Sequence, residues 1–310
     1  MIKKIILSLF LGFLASSYVF GNAYQVNLQG HRQTAMGNTG TGLAFDAASL
    51  FFNPAAMGFK NQNSLMLGVS GVHAQVKYYG ANNATYGAES DPAIATPFYA
   101  YFTKGISEKI TVGLGVFTPF GSTVKWGDQW AGRLALDELS LKAFYVQPTI
   151  SYRINDKLSV GAGLDVVIGS VNLQRNVYLR SADTDELIRT ELDGKADLGF
   201  GYNLGLFFQP VEIISLGINY RSQVDVNVTG GDFTSDAPAG LQSLVPNTTF
   251  DGGLPLPSVL TIGLGIKPTT KLTLSADLSM VGWGAYEELK FTFAEPVANA
   301  SETISKRNYE

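Results

Sequence analysis

The sequence predicts an all-β protein, a transmembrane antiparallel β-barrel, and three observations predict it. Long runs alternate apolar and polar residues, the connections between them alternate short and long, and only the N-terminal leader is a continuous apolar stretch. Side chains of a strand point alternately to opposite faces, so an apolar phase and a polar phase mark two different environments. Short inner turns and long outer loops are what an outer-membrane barrel shows.

The leader comes first. Lys3 and Lys4 precede the apolar run IILSLFLGFLASSYVF, and Gly21-Asn22-Ala23 offers small residues for cleavage. That run is shorter than the roughly 20 residues of a spanning helix, so residues 1–23 read as a secretory signal peptide. The exported remainder has no cysteine, which excludes disulfide staples, a thiol nucleophile and thiolate metal ligands. Charged residues make up 15% of the chain, below the roughly 25% of a soluble domain. The net charge is −4 with no basic run, so nucleic acid is not an expected partner.

Residues 24–63 show neither period and include ASLFFNPAAMGF, an apolar knot around Asn53-Pro54. From residue 64 onward nine strands are expected, at about 64–79, 96–105, 109–120, 139–154, 157–179, 190–209, 212–229, 257–267 and 270–284. Between Ile214 and Val228 the even positions are mostly apolar and the odd positions polar or glycine. The same phase holds for Ile110–Val116, Leu158–Ile168, Leu198–Phe208, Leu260–Ile266 and Leu272–Met280. Beyond Ile168 the apolar residues Val171 and Leu173 change parity, which predicts a bulge.

Asp165, Asp197, Asp225 and Asp277 all fall on the polar phase. That favours a lumen over the wet face of a sandwich, because a charge on the other phase would meet lipid. Short turns are expected at KGISEK, RINDK, QPVEI and KPTTK, and long loops at residues 81–95, 121–139, 180–190 and 230–257. With nine strands the tail 285–310 falls in an outer loop, and an odd count does not close a single-chain barrel. The expectation is a chain truncated at its C-terminus, with an incomplete barrel over 64–310.

Four segments together resemble the FadL family of outer-membrane transporters: AYQVNLQGHRQTAMGNTGTGLAFDAASLFFNPAA, FTPFGSTVKWGDQWAGR, GFGYNLGLFFQPVEIISLGINYRSQVD and LPSVLTIGLGIKPTTKLTLSADLSMVGW. The resemblance implies a fourteen-strand barrel with residues 24–63 as an N-terminal hatch. Asn53, Pro54 and Ala55 would turn the chain, and Phe51, Phe52, Met57 and Phe59 would anchor hatch to wall. It implies passive uptake of long-chain fatty acids or similar hydrophobic compounds. These would pass from an outer groove to a pocket gated by the N-terminus and leave sideways at a kinked third strand. Tyr24 matches the family's aromatic near the N-terminus. The kink would lie at Pro119 to Gly121, where proline also removes a ladder donor. Tyr24, Phe120, Trp126 and Trp130 become the candidate ligand contacts. Outer-membrane lipid and lipopolysaccharide would surround the barrel, with no cofactor.

Blander readings stand beside these. Trp126 and Trp130 equally suit interfacial anchors. The inward aspartates with Arg221 suit a brace between lumen and hatch. GNTGTG at Gly37–Gly42 lacks the lysine and setting of a phosphate loop. His31 and His73 are the only histidines and no nucleophile motif lies near either, so an enzyme is not expected and no metal site is spaced out. An aqueous porin, or an exported structural β-protein, is the alternative function.

Overall fold

A strand with lipid on one side and a packed lumen on the other must keep strict alternation, and the molecule does so over most of its length. The computed structural model describes residues 23–61, 63–80, 87–127, 129–180 and 185–306. The leader over residues 1–22 lies outside the described residues. Among the described residues the α-helices are short and lie in the N-terminal segment, which holds α1 (His31–Ala35), α2 (Ser49–Phe52), a 3-10 turn (Pro54–Ala56) and α3 (Met57–Lys60).

Eighteen strands follow among the described residues. The first six are β1 (Ser64–Val69), β2 (Val72–Ala74), β3 (Lys77–Tyr79), β4 (Gly87–Glu89), β5 (Ala93–Ala95) and β6 (Phe98–Gly105). The long central ones are β7 (Ile110–Lys125), β8 (Glu138–Asn155) and β9 (Leu158–Arg180). Then come β10 (Asp185–Lys195), β11 (Gly199–Val211), β12 (Ile214–Arg221), β13 (Val224–Ser235), β14 (Thr248–Leu256) and β15 (Val259–Thr269). The last are β16 (Leu272–Val281), β17 (Glu288–Val297) and β18 (Ala300–Lys306), with a 3-10 turn at Trp283–Ala285.

All pairings are antiparallel, and 14 strands form one sheet that forks at β9. The outer half of β9 pairs with β10, followed by β13, β14, β17 and β18. The inner half pairs with β11, followed by β12, β15 and β16. Among the described residues β1, β16 and β18 each pair on one side only, so the sheet is open and not a closed barrel.

The two halves have opposite faces. In the inner storey Leu204 and Leu216 are 47% and 42% exposed, while Asn203 and Ser215, their odd-numbered neighbours, are buried. In the outer storey Val224, Val226 and Val228 are buried while Asp225 and Asn227 are exposed. The change is a one-residue slip repeated on three adjacent strand lines, at 196–198, 222–223 and 257–258. The interior is lined by odd residues in β11, β12 and β15, and by even residues in β10, β13 and β14. Backbone groups at the slip remain paired: Ala196 N–H donates to the Gly169 carbonyl at 2.9 Å, and Ser222 N–H to the Tyr202 carbonyl at 2.8 Å.

Several expectations change accordingly. The strands placed at 190–209 and 212–229 are each two strands, and Asp197 and Asp225 point outward rather than into a lumen. No bulge follows Ile168; β9 keeps one register with β8 from Val166 to Gln174. Val171 lines the outer interior and Leu173 is buried there, so the parity change records an interior that turns apolar. The strand at 64–79 is broken into β1, β2 and β3, and the outer connections carry short hairpin pieces. The tail is not a loop: residues 288–306 form β17 and β18. The truncation inferred from that loop is not supported.

Candidate functional site

The N-terminal segment, expected to form a hatch, lies against the inner storey because the wall leaves room for its backbone. A Cβ on Gly217 would sit 1.9 Å from the Thr41 carbonyl oxygen, and one on Gly161 2.5 Å from the Ala55 nitrogen. Glycine on the inward phase therefore marks where backbone meets backbone.

Asn53 is fully buried and saturates the turn. Its Nδ2 donates to the Thr41 and Leu206 carbonyls at 2.9 and 3.0 Å, and its Oδ1 accepts from Ala55 N–H at 3.1 Å. Pro54 fills the first position of the 3-10 turn, where no N–H is needed. The Ala55 carbonyl accepts from Ser151 and Ser159 hydroxyls of the wall, at 3.1 and 2.6 Å. Phe51 packs on Phe52 and on Phe117, both with centroids at 5.1 Å, and Phe59 packs on Phe207 at 4.8 Å. Met57 is buried in the same core. Asp277 accepts from the Gly40 and Thr41 N–H groups at 2.9 Å, so Asp165 and Asp277 face inward and Asp197 and Asp225 do not.

The third strand line, β7, is irregular where Pro119 stands. Register with β8 shifts between Phe117 and Phe120. The N-terminal segment fills the place this leaves: Val26 N–H donates to the Pro119 carbonyl at 2.8 Å, and Gly121 N–H to the Tyr24 carbonyl at 2.9 Å. Gln29 Nε2 donates to the Thr118 carbonyl at 2.8 Å. The segment thus sits on the inner side of the kink, hydrogen-bonded to both arms.

Tyr24 is buried in an aromatic cage. Its ring lies 6.0 Å from Phe120, 5.0 Å from Trp283 and 5.7 Å from Tyr286, and its hydroxyl donates to the Pro255 carbonyl at 2.7 Å. Tyr286 also lines a cavity of about 630 Å³ in the outer storey. Leu139, Leu173, Val226, Val228, Phe250 and Phe291 supply much of that cavity's apolar wall, and Arg175 brings a cation to it. Arg175 Nε has no hydrogen-bond partner there. Of the four predicted ligand contacts, Trp130 lines the cavity and Tyr24 and Phe120 lie beside it. Trp126 stacks on Trp130 at 4.4 Å, and Trp130 Nε1 donates to the Leu136 carbonyl at 2.7 Å. Trp283, Tyr286 and Arg175 were not anticipated; Trp283 and Tyr286 stand at the end of the last expected strand and in the expected loop, and Arg175 past the expected bulge.

A family model described as outer membrane protein transport protein (OMPP1/FadL/TodX) matches residues 12–310. The chain belongs to this family. It is an outer-membrane protein, and no helix among the described residues is long and apolar enough to cross a membrane. It is 24% identical to outer membrane protein P1 of Haemophilus influenzae, over 63% of this chain and 47% of that one. It is 20% identical to a long-chain fatty acid transport protein of Salmonella typhi, over 89% of this chain and 69% of that one. The chain thus spans about half the length of the first relative and about two thirds of the second. A Pseudomonas aeruginosa FadL homologue superposes with a TM-score of 0.73 at 16% identity, over 91% of this chain and 74% of that one. The Ralstonia pickettii toluene transporter TbuX gives 0.67 at 22%, over 92% and 80%. These structures share the FadL/TodX fold.

Proposed function

We propose that the protein carries long-chain fatty acids or similar amphipathic hydrophobic molecules passively across the outer membrane. The observation that carries this reading is the outer cavity of about 630 Å³, apolar on most of its wall yet holding Arg175. An apolar tail gains by leaving water for such a wall. A carboxylate head gains beside a partly buried guanidinium whose Nε has no hydrogen-bond partner. A neutral aromatic hydrocarbon gains only the first, and so takes second place although several structural neighbours are toluene transporters or monoaromatic hydrocarbon channels.

The route runs from the cavity past Tyr286 and Tyr24 to the kink at Pro119–Gly121. Lateral release there requires the Tyr24–Gln29 segment to leave the kinked strand. Trp126 and Trp130 form the cavity's outer rim, and outer-membrane lipid and lipopolysaccharide surround the wall.

The test is retention of ligand by the purified full chain in mild detergent. Wild type is expected to hold a labelled long-chain fatty acid, and Arg175→Gln to weaken it about tenfold while leaving toluene binding unchanged. Equal affinity of both proteins for the fatty acid overturns the assignment. Large steady currents in a planar bilayer instead identify an aqueous porin.

A further inference from the structure

Arg221 is the last residue of β12, directly before the slip at Ser222–Gln223, and it is 4% exposed. Its Nη1 donates to both Asp165 oxygens at 2.7 Å and to Gln147 Oε1 at 2.9 Å. Asp165 is fully buried, so neutralising it requires this partner. The guanidinium does more than that. Its Nη2 reaches the Phe51 carbonyl of α2 at 3.4 Å, one of the carbonyls a helix end leaves unpaired. Its centre lies 4.9 Å from the Phe51 ring, 5.2 Å from Phe117 and 5.7 Å from Tyr145. Phe117 is the residue at which the β7 register begins to shift, and Tyr145 touches Phe120 at the other side of that shift. Gln147, which Arg221 also holds, donates to the Leu50 carbonyl of the hatch at 3.3 Å.

We propose that Arg221 is a positioning residue that couples the hatch to the kinked strand, so that loosening one loosens the other. One flat cation is shared between a hatch carbonyl, a hatch ring, the Phe117 ring of the kinked strand and the Tyr145 ring of β8 beside it. Displacing α2 removes the Phe51 ring from Phe117 and leaves the Arg221 Nη2 without its acceptor. The residues that shape the kink then lose packing on one side. A brace serving only Asp165 transmits nothing of this kind. The functional meaning rests on the proposed release at the kink; the coupling is measured without any ligand, so each can fail alone.

The chain has no cysteine, so single thiols report cleanly. Ala35→Cys reports on the hatch and Ser122→Cys on β7 beyond the kink. Asn53→Ala is the perturbation, since it removes three hatch hydrogen bonds. In the wild-type background Asn53→Ala is expected to speed thiol labelling about threefold or more at both reporters, in the range of coupling between contacting residues. With Arg221→Lys, which keeps a charge for Asp165 but loses the flat fork, only Ala35→Cys is expected to respond. Should Arg221→Lys fail to insert, the pair Asp165→Leu and Arg221→Met removes both charges together and is read the same way. A Ser122→Cys response unchanged by the Arg221 variant, or absent in wild type, overturns the proposal.

Discussion

Gly217 shows how a single missing atom holds the hatch in place. Any side chain there meets the Thr41 carbonyl, and strand backbone and hatch backbone both lack the freedom to yield. Overpacking at such a contact costs about 1–3 kcal/mol. Gly217→Ala is therefore expected to lower the denaturation midpoint and to speed labelling at Ala35→Cys. Gly240→Ala, with nothing within 4 Å of the added atom, is expected to change neither. If Gly217→Ala behaves like Gly240→Ala, the hatch does not press against β12. Asn53 makes the complementary case for a polar group. Three hydrogen bonds converge on a fully buried side chain, so its loss takes that partner from the Thr41 carbonyl and the Ala55 N–H. Each buried group left unpaired costs about 1–3 kcal/mol.

The slip between storeys turns the same strand line inside out, and it is the feature that makes an apolar cavity above a polar lumen. Val226 faces that cavity while Asp225 faces outward, although both were read as parts of one membrane strand with the opposite orientation. Val226→Asp is expected to abolish retention of fatty acid, because a carboxylate would be placed in the apolar wall. Asp225→Asn is expected to leave retention at the wild-type level, and a loss there would show that Asp225 faces the ligand.

Alternation made the strands legible, and Asn53-Pro54 made the hatch turn legible, because a capping side chain followed by proline has few other uses. The slip was not legible for a physical reason. Alternation reports that one face is apolar and says nothing about whether that face meets lipid or a dry interior. Val171 and Leu173 did change parity, but a bulge predicts the same change, and only the unbroken register of β8 with β9 separates the two. The Tyr24 cage was half legible: Tyr24 and Phe120 stood out, whereas Trp283 and Tyr286 lie at and beyond a strand end, where period two has no hold.

For the molecule as a whole, the outward-facing residues change character at the slip, and the wall is expected to leave hydrocarbon there. Below it every mid-strand outward residue of β11 and β12 is apolar or aromatic except at the turns, as with Leu204 and Leu216. Above it the outward residues include Asp193, Asp197, Asp225 and Asn227. Charges of that kind are tolerated near an interface and are costly at midplane, where a basic residue costs about 2–4 kcal/mol. Leu216→Arg is therefore expected to insert poorly into outer membrane. Asn227→Arg, also on an outward face but beyond the slip, is expected to insert as wild type does. Fractionation with heat-modifiable mobility reads both. Equal insertion of the two variants would mean that the slip does not mark the edge of the bilayer. The outer cavity would then lie at the depth of the lipid tails, and a ligand's charged head would have to enter hydrocarbon before meeting Arg175.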